Sequence, residues 1–355
     1  MYRKRLKLDR SRRRRYTRNP FLRKSDVTVC VAAICNDGKS LVGASDRMIT
    51  AGTQYLSPEP KVFLLRPSIV AMWSGLDVDF IHGILAELLS DMEAKGSAMP
   101  NEPLGVKEFA YGFRDCFNRA RNRLMSQDLL ARFDMTPATF PRANWEKHPN
   151  LVNEMAGKMA EYPTPDTQVL VVGVDRLGAH IYEFENLLGG GGNVHCYDGT
   201  GFRAIGAGEG RAHSQLELAN YGRSRPEAEA LFLVYLAKKR ADVVTGVSEM
   251  TDVFLFAPGE GALPRYAPLD PESKTRLHKI YVKLQASEET ALARAMKATT
   301  VWRSSLQLPT ARLRFSGGLS ATFAPTVIIG KGEGKASQER SAEEKAKEGG
   351  EEESE

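Results

Sequence analysis

The sequence predicts an α+β fold in which two antiparallel sheets lie between layers of helices. The predicted elements follow the order four strands, two helices, further strands, two helices and a strand. Strands in runs and helices in pairs favour segregated layers over the alternating order of a parallel sheet. Turn signals between neighbouring apolar runs support antiparallel pairing. With 355 residues, of which 42% are hydrophobic, the chain can build an ordinary globular core.

The first four strands form two predicted hairpins. Asn36-Asp37-Gly38 is a strong signal for the first hairpin turn. Pro67 suits the second turn, because proline cannot donate to a sheet and is excluded from a central strand. We expect these strands over 28–35, 39–45, 61–65 and 69–75.

The remaining elements follow from apolar periodicity and helix-start signals. Asp77 or Asp79 is a suitable cap for the first helix, and Pro226 suits the first turn of a later one. Residues 132–166 are rich in Pro, Asn and charge, which predicts a surface insertion. We expect helices up to about residue 89 and over 106–131, 211–221, 226–241 and 286–300, and strands over 170–175, 180–184, 202–207 and 252–257.

Both ends of the chain differ in composition from its middle. Residues 1–27 hold 12 Lys/Arg and 2 Asp, a charge of +10 in a chain of net +5, so the remaining residues carry −5. This leader has no apolar segment and is therefore not a secretory signal. The tail 331–355 is rich in Glu and Lys, and both ends are predicted to be disordered. The mildly acidic body argues against nucleic-acid binding.

Cysteine and apolar patterns exclude further classes of function. The four cysteines are widely spaced, with no Cys-x-x-Cys pair, so the sequence predicts a reducing setting and no metal site. No apolar run approaches the roughly 20 residues that span a bilayer. We therefore expect a cytoplasmic protein without membrane partners.

Thr28 is the residue on which a catalytic hypothesis depends, because it opens the first strand directly after the leader. A threonine hydroxyl is a weak nucleophile until a base lies beside it. A free α-amine has a pKa of about 7.7–8.0 and is partly neutral near pH 7, so it can act as that base. Thr28 combines nucleophile and base only if the leader is absent.

Four further short motifs follow Thr28 in a characteristic order. They are Gly-Ala-Ser-Asp46-Arg47-Met-Ile-Thr-Ala-Gly52, the strand-opening Lys61, Ser74-Gly75 before a helix, and Asp242-Val-Val-Thr245-Gly246 after a helix. Together these motifs resemble the proteasome-type branch of the N-terminal-nucleophile hydrolases. The resemblance covers residues 28–258 and leaves 259–330 as a C-terminal extension containing a helix.

The resemblance implies a four-layer αββα sandwich and a threonine peptidase or amidase. Thr28 is then expected to attack the amide carbonyl, with Lys61 and Asp46 tuning the site and the Gly75 N–H binding the oxyanion. Asp242 and Thr245 are expected to hold the amine of Thr28. The implied substrate is a peptide or small amide, no cofactor or metal is required, and a homo-oligomer is expected.

Three positions depart from the family pattern. The interval from Thr28 to Asp46 is two residues longer than the family's usual spacing. The interval from Cys30 to Asp46 has that usual length, which makes Cys30 an alternative nucleophile. Ala207 occupies a position where the family often has serine. Val27 precedes Thr28, where glycine is common at the self-processing site.

With Val27 before Thr28, the α-amine of Thr28 can become free in two ways. The leader is either a propeptide or the product of a start assigned too early, since valine codons include the bacterial start codon GTG. An initiator methionine at position 27 would be removed readily before threonine. The competing hypothesis for the whole chain is a catalytically silent, proteasome-like structural subunit that keeps its N-terminal extension.

Overall fold

The computed structural model contains twelve strands and six α-helices in the part of the chain that it describes. That part comprises residues 28–47, 49–51, 54–56, 60–75, 77–98, 104–131, 135–136, 138–140, 146, 148–186, 191–244, 247–257 and 264–305. The leader 1–27, the tail 331–355 and Thr245 lie outside these residues. One compact unit extends to Lys283, and a second begins at Leu284.

The elements follow the chain in this order. The strands are β1 (Cys30–Cys35), β2 (Ser40–Asp46), β3 (Ile49–Ala51), β4 (Gln54–Leu56), β5 (Val62–Arg66), β6 (Ile69–Gly75), β7 (Thr167–Asp175), β8 (Gly178–Glu185), β9 (Asn193–Cys196), β10 (Phe202–Ile205), β11 (Thr251–Ala257) and β12 (Arg265–Pro268). The helices are α1 (Val78–Ala98), α2 (Val106–Met125), α3 (Pro149–Ala160), α4 (Glu209–Leu218), α5 (Glu227–Ala241) and α6 (Pro271–Ser305).

Two antiparallel five-stranded sheets confirm the α+β class. The first sheet has the order β10-β1-β2-β11-β12, and the second has the order β5-β6-β7-β8-β9. Every pairing in both sheets is antiparallel. This architecture is compatible with a sandwich.

Side chains alternate across β1, which is buried on both faces. Val29, Val31 and Ala33 pack against residues of α4 and α5, whereas Cys30 and Ile34 share a core with residues of the second sheet. When both faces of a strand are covered, its sequence is a continuous apolar run and does not alternate between apolar and polar residues. The other face of the second sheet forms a further core with residues of α1 and α2.

The two predicted hairpins are confirmed as β1–β2 and β5–β6. Other elements differ in extent from those predicted. The segment predicted as a surface insertion contains α3, which begins at Pro149 and whose Val152 and Met155 pack with Leu130 and Phe140. The predicted C-terminal helix begins earlier than expected, at Pro271.

The expected end of the catalytic domain at residue 258 does not coincide with the end of the sheet. β12 pairs with β11 and extends the first sheet to Pro268. β9 and β12 were not predicted, because each has only four residues, none of them buried, and lacks an apolar alternation. None of the described helices combines the length and apolar character that crossing a bilayer requires.

Candidate active site

Thr28 and Lys61 meet although 33 positions separate them along the chain. Thr28 lies just before β1, and Lys61 lies just before β5 in the other sheet. The Lys61 ammonium donates a hydrogen bond to Thr28 Oγ1. Each residue is about 1% exposed. A buried cation on a hydroxyl oxygen stabilises the developing alkoxide, so this contact favours loss of the Thr28 proton.

The backbone of Thr28 is held by the turn that follows β10. The Gly208 N–H donates to the Thr28 carbonyl oxygen at 3.2 Å. Gly206 has φ +87°, and a Cβ there would overlap that same carbonyl oxygen. Only glycine fits this position, because it combines a left-handed backbone with a close approach. Ala207, between these glycines, supplies no side-chain hydroxyl to the site.

Asp46 ends β2 with its side chain fully buried beside this pair. Its Oδ1 accepts the Val29 N–H at 3.3 Å, and its Oδ2 accepts the Ser248 N–H, also at 3.3 Å. Burial raises the pKa of Asp46, whereas the positive charge of Lys61 and the two N–H donors act in the opposite direction. The structure therefore brings Thr28, Lys61 and Asp46 together.

Trp73 forms one side of the Lys61 environment. The Lys61 Nζ lies 4.7 Å from the centre of the Trp73 ring, in a cation–π arrangement. The Trp73 N–H donates to the Lys61 carbonyl oxygen at 3.1 Å, which fixes the start of β5 against β6. A lysine held over an aromatic face and against a hydroxyl has few alternative rotamers, so its ammonium is preorganised.

Gly75 ends β6, and its surroundings give it a packing role. A Cβ at Gly75 would lie 2.8 Å from the Asp166 carbonyl oxygen and 2.9 Å from Ile81 Cδ1. Glycine is thus required by close packing on the α1 side. Its neighbour Ser74 lies close to Thr28, since a Cβ built on Gly206 meets both the Thr28 carbonyl oxygen and, at 3.0 Å, the Ser74 hydroxyl.

Asp242 follows α5, and its ion pairs are with lysines. Its Oδ1 lies 2.8 Å from Lys238 Nζ, and its Oδ2 contacts Lys239 Nζ. Among the described residues, Asp242 makes no hydrogen bond to Thr28. Thr245, expected beside it, lies outside the described residues.

Cys30 is unsuited to the nucleophilic role that its spacing suggests. It is fully buried in β1, and its thiol donates to the Trp73 carbonyl oxygen at 3.5 Å. Burial and the nearby Asp46 carboxylate raise the pKa of the Cys30 thiol above its usual range. Since the thiolate is the reactive form, this environment keeps Cys30 unreactive.

Sequence reasoning missed Ser248, Lys238 and Trp73. Ser248 contributes its backbone N–H, which no residue type signals. Lys238 begins the basic run Lys238-Lys239-Arg240 at the end of α5, which predicts solvated charges that complement the helix dipole. Within the described residues, no group of three or more His, Cys, Asp or Glu side chains is arranged to hold a metal ion.

In comparisons with known proteins, the chain matches no protein-family model and no curated sequence. The geometry of Thr28, Lys61 and Asp46 and the resemblance of the short motifs are therefore what indicate a function.

Proposed function

We propose that this chain is a proteasome-type N-terminal threonine hydrolase that cleaves amide bonds once Thr28 is the first residue. The observation that carries the proposal is the buried hydrogen bond from Lys61 to Thr28 Oγ1, with the Asp46 carboxylate nearby. A weak nucleophile, a cation and a carboxylate converge from three strands at one end of the two sheets. A buried charge is costly, so a convergence of this kind favours a catalytic over a purely structural role.

The core clusters support the fold that this family requires. One cluster joins α1 and α2 to the second sheet, one is shared by both sheets, and one joins α4 and α5 to the first sheet. We propose that these clusters are the three interfaces of a four-layer αββα sandwich.

The proposed reaction has two steps. In the first, the free amine of Thr28 accepts the hydroxyl proton, and Oγ1 attacks the carbonyl carbon of the amide. The carbon–nitrogen bond then breaks, the amine product leaves with that proton, and an ester forms on Thr28. In the second step, water attacks the ester, and the acid product leaves as Thr28 regains its proton.

Each neighbouring residue has a part in these steps. Lys61 stabilises the attacking oxygen, and Asp46 balances the charge of Lys61. The Gly75 N–H remains the proposed oxyanion donor. A peptide or small amide is the proposed substrate, and a cytoplasmic homo-oligomer is the proposed form of the enzyme.

The proposal is tested by expressing the native gene and its Thr28→Ala and Thr28→Ser variants. We expect intact mass and N-terminal sequencing to show a chain that begins at Thr28 and hydrolyses fluorogenic peptide amides. Thr28→Ala should abolish turnover, whereas Thr28→Ser, which keeps a hydroxyl, should retain part of it. A mature chain that keeps residues 1–27 and shows no turnover would support the silent structural subunit instead.

A further inference from the structure

A second buried lysine lies behind the candidate site. Lys238, near the end of α5, is 0% exposed. Its ammonium donates to the carbonyl oxygens of Ser248 at 2.5 Å and Met250 at 3.2 Å, and it lies 2.8 Å from Asp242 Oδ1. Lys238 thus ties the end of the helix to the segment 247–250.

That segment leads directly to Asp46. The carbonyl of Ser248 accepts from Lys238, and the N–H of the same residue donates to Asp46 Oδ2. One residue therefore connects the buried ammonium of α5 to the carboxylate beside Lys61. The positive charge of Lys238 also acts on Asp46 directly and lowers its pKa against the effect of burial.

An ordinary packing role does not require an ammonium at this position. The neighbours on the buried side of α5 include Val234, Ala237 and Ala241, which are small or apolar. A buried lysine pays a desolvation cost that an apolar residue avoids. Two carbonyl oxygens alone would be satisfied by a neutral donor such as an amide. The feature that only a cation supplies is its charge, which the Asp242 carboxylate balances at 2.8 Å and which also acts on Asp46.

We infer that Lys238 is a positioning residue, which holds the Ser248 N–H against the Asp46 carboxylate and adds a positive charge to the surroundings of that carboxylate. Its consequence for turnover rests on the proposed function, whereas its effect on Asp46 does not. Asp242, expected from the resemblance to hold the amine of Thr28, instead balances the charges of Lys238 and Lys239.

Among the described residues, charged and titratable groups from several elements act on Asp46. Lys61 reaches it from the start of β5, Lys238 from α5, and the Cys30 thiol from β1. Arg47, the next residue, is directed away and forms a bidentate pair with Asp252. Asp242 and Lys239 act on Lys238 itself. In the described part of the chain, Lys61 and Lys238 both place a positive charge near the Asp46 carboxylate.

The amide resonances of Val29 and Ser248 provide a direct test on the full chain. Both N–H groups donate to Asp46, so their chemical shifts follow its ionisation. In protein labelled with ¹⁵N-valine and ¹⁵N-serine, Lys238→Gln should move the titration midpoint of both signals to higher pH. Glutamine keeps donors for the carbonyl oxygens but removes the charge. Lys238→Arg, which keeps the charge, should leave the midpoint near that of the unmodified protein.

Lys239→Gln is the matched control, because it removes a neighbouring positive charge that also pairs with Asp242. It should leave the midpoint unchanged. An unchanged midpoint in folded Lys238→Gln would overturn the inference. So would a loss of folding in both Lys238→Gln and Lys238→Met when Lys238→Arg folds, since Lys238 would then act on stability alone.

Kinetics separate this inference from the proposed function. With fluorogenic peptide amides, Lys238→Gln should lower kcat by about 10–100-fold with little change in KM, and Lys238→Arg should restore it. The acid limb of the kcat profile should shift with the amide midpoint. A shifted midpoint in a protein without turnover would reject the hydrolase and keep the link to Asp46. Normal turnover and an unmoved midpoint would reject the role of Lys238 and keep the hydrolase.

Discussion

The polar clusters at the two ends of β7 differ in whether their buried polar atoms have hydrogen-bond partners. At its first residue, Thr167, β7 pairs with Gly75 beside the Thr28 site. In the described part of the chain, three buried polar atoms near that site have no hydrogen-bond partner, namely Ser45 Oγ, Ser74 Oγ and Trp73 Nε1. At its last residue, Asp175, β7 enters a cluster in which the polar atoms are paired.

His180 is the centre of the paired cluster. Its Nδ1 lies 2.6 Å from Asp198 Oδ2, and its Nε2 lies 3.2 Å from Asp175 Oδ1. The remaining carboxylate oxygens accept the N–H groups of Ile181 and of Val106, the first residue of α2. This cluster joins two turns to the start of a helix.

Paired polar groups such as those around His180 stabilise the fold, whereas the unpaired groups near Thr28 reduce its stability. An unpaired buried polar atom costs about 1–3 kcal/mol, whereas a hydrogen bond to a charged group contributes about 1.5–3 kcal/mol. We therefore expect changes to the polar side chains near Thr28 to affect turnover more than stability, and changes around His180 to do the reverse.

The largest expected effect is that of Lys61→Met. Without the ammonium on Thr28 Oγ1, turnover of peptide amides should fall by about 10²–10³-fold, a typical loss when a group that stabilises developing negative charge is removed. Steady-state kinetics measure this. The control is Lys274→Met, which removes a partly exposed lysine that pairs with Asp252 and should leave turnover unchanged. Equal turnover in the two variants would contradict the comparison.

Gly206→Ala should impair both stability and turnover. The new Cβ would require a left-handed backbone and would overlap the Thr28 carbonyl oxygen, so we expect a loss of about 1–3 kcal/mol in the free energy of unfolding. Gly210→Ala is the control, since nothing lies within 4 Å of a Cβ in that first turn of α4. Urea unfolding of both variants tests this, and an equally stable Gly206→Ala would show that Thr28 is not tightly held.

His180→Gln should reduce stability in a pH-dependent manner and leave turnover unchanged. The carboxylate of Asp198, followed by that of Asp175, raises the pKa of His180 above its usual value. A raised histidine pKa means that the folded state binds the proton more tightly than the unfolded state. The resulting stability is present below the unfolded pKa of about 6.5 and is lost as pH rises through the folded value.

Urea unfolding at pH 5.5 and pH 9 tests this sign. The variant should lose about 1–3 kcal/mol at the lower pH and less at the higher one. A deficit that is equal at both pH values would show that the charge of His180 contributes nothing.

The smallest expected effect is that of Ser74→Ala. Removing an unpaired buried hydroxyl should leave the free energy of unfolding unchanged or raise it by about 1 kcal/mol. Ser40→Ala is the matched control, because the Ser40 hydroxyl donates to Glu227 Oε2 at 2.8 Å. That variant should lose about 1 kcal/mol. Equal losses in the two variants would remove the distinction between the unpaired and paired regions.

Local patterns were sufficient for the elements that contain strong periodicity or turn chemistry. Asn36-Asp37-Gly38 specified the first hairpin, and the apolar spacing in 106–131 specified α2, whose last turn continues as a π-helical segment. They were insufficient for β9, β12 and α3. These are short or polar, and they form because a sheet edge or a small neighbouring cluster is available to them.

The sequence by itself determined the α+β class, the two hairpins and the candidate set Thr28, Asp46 and Lys61. Tertiary structure decided which buried groups meet. Ser248 donates to Asp46 from 202 positions away, and no local pattern encodes a backbone donor at that range. The sequence predicts that Lys238 is a solvated charge at the end of a helix. It is buried because α5 packs against the first sheet. Periodicity is a local property, whereas burial and electrostatic pairing depend on the whole chain.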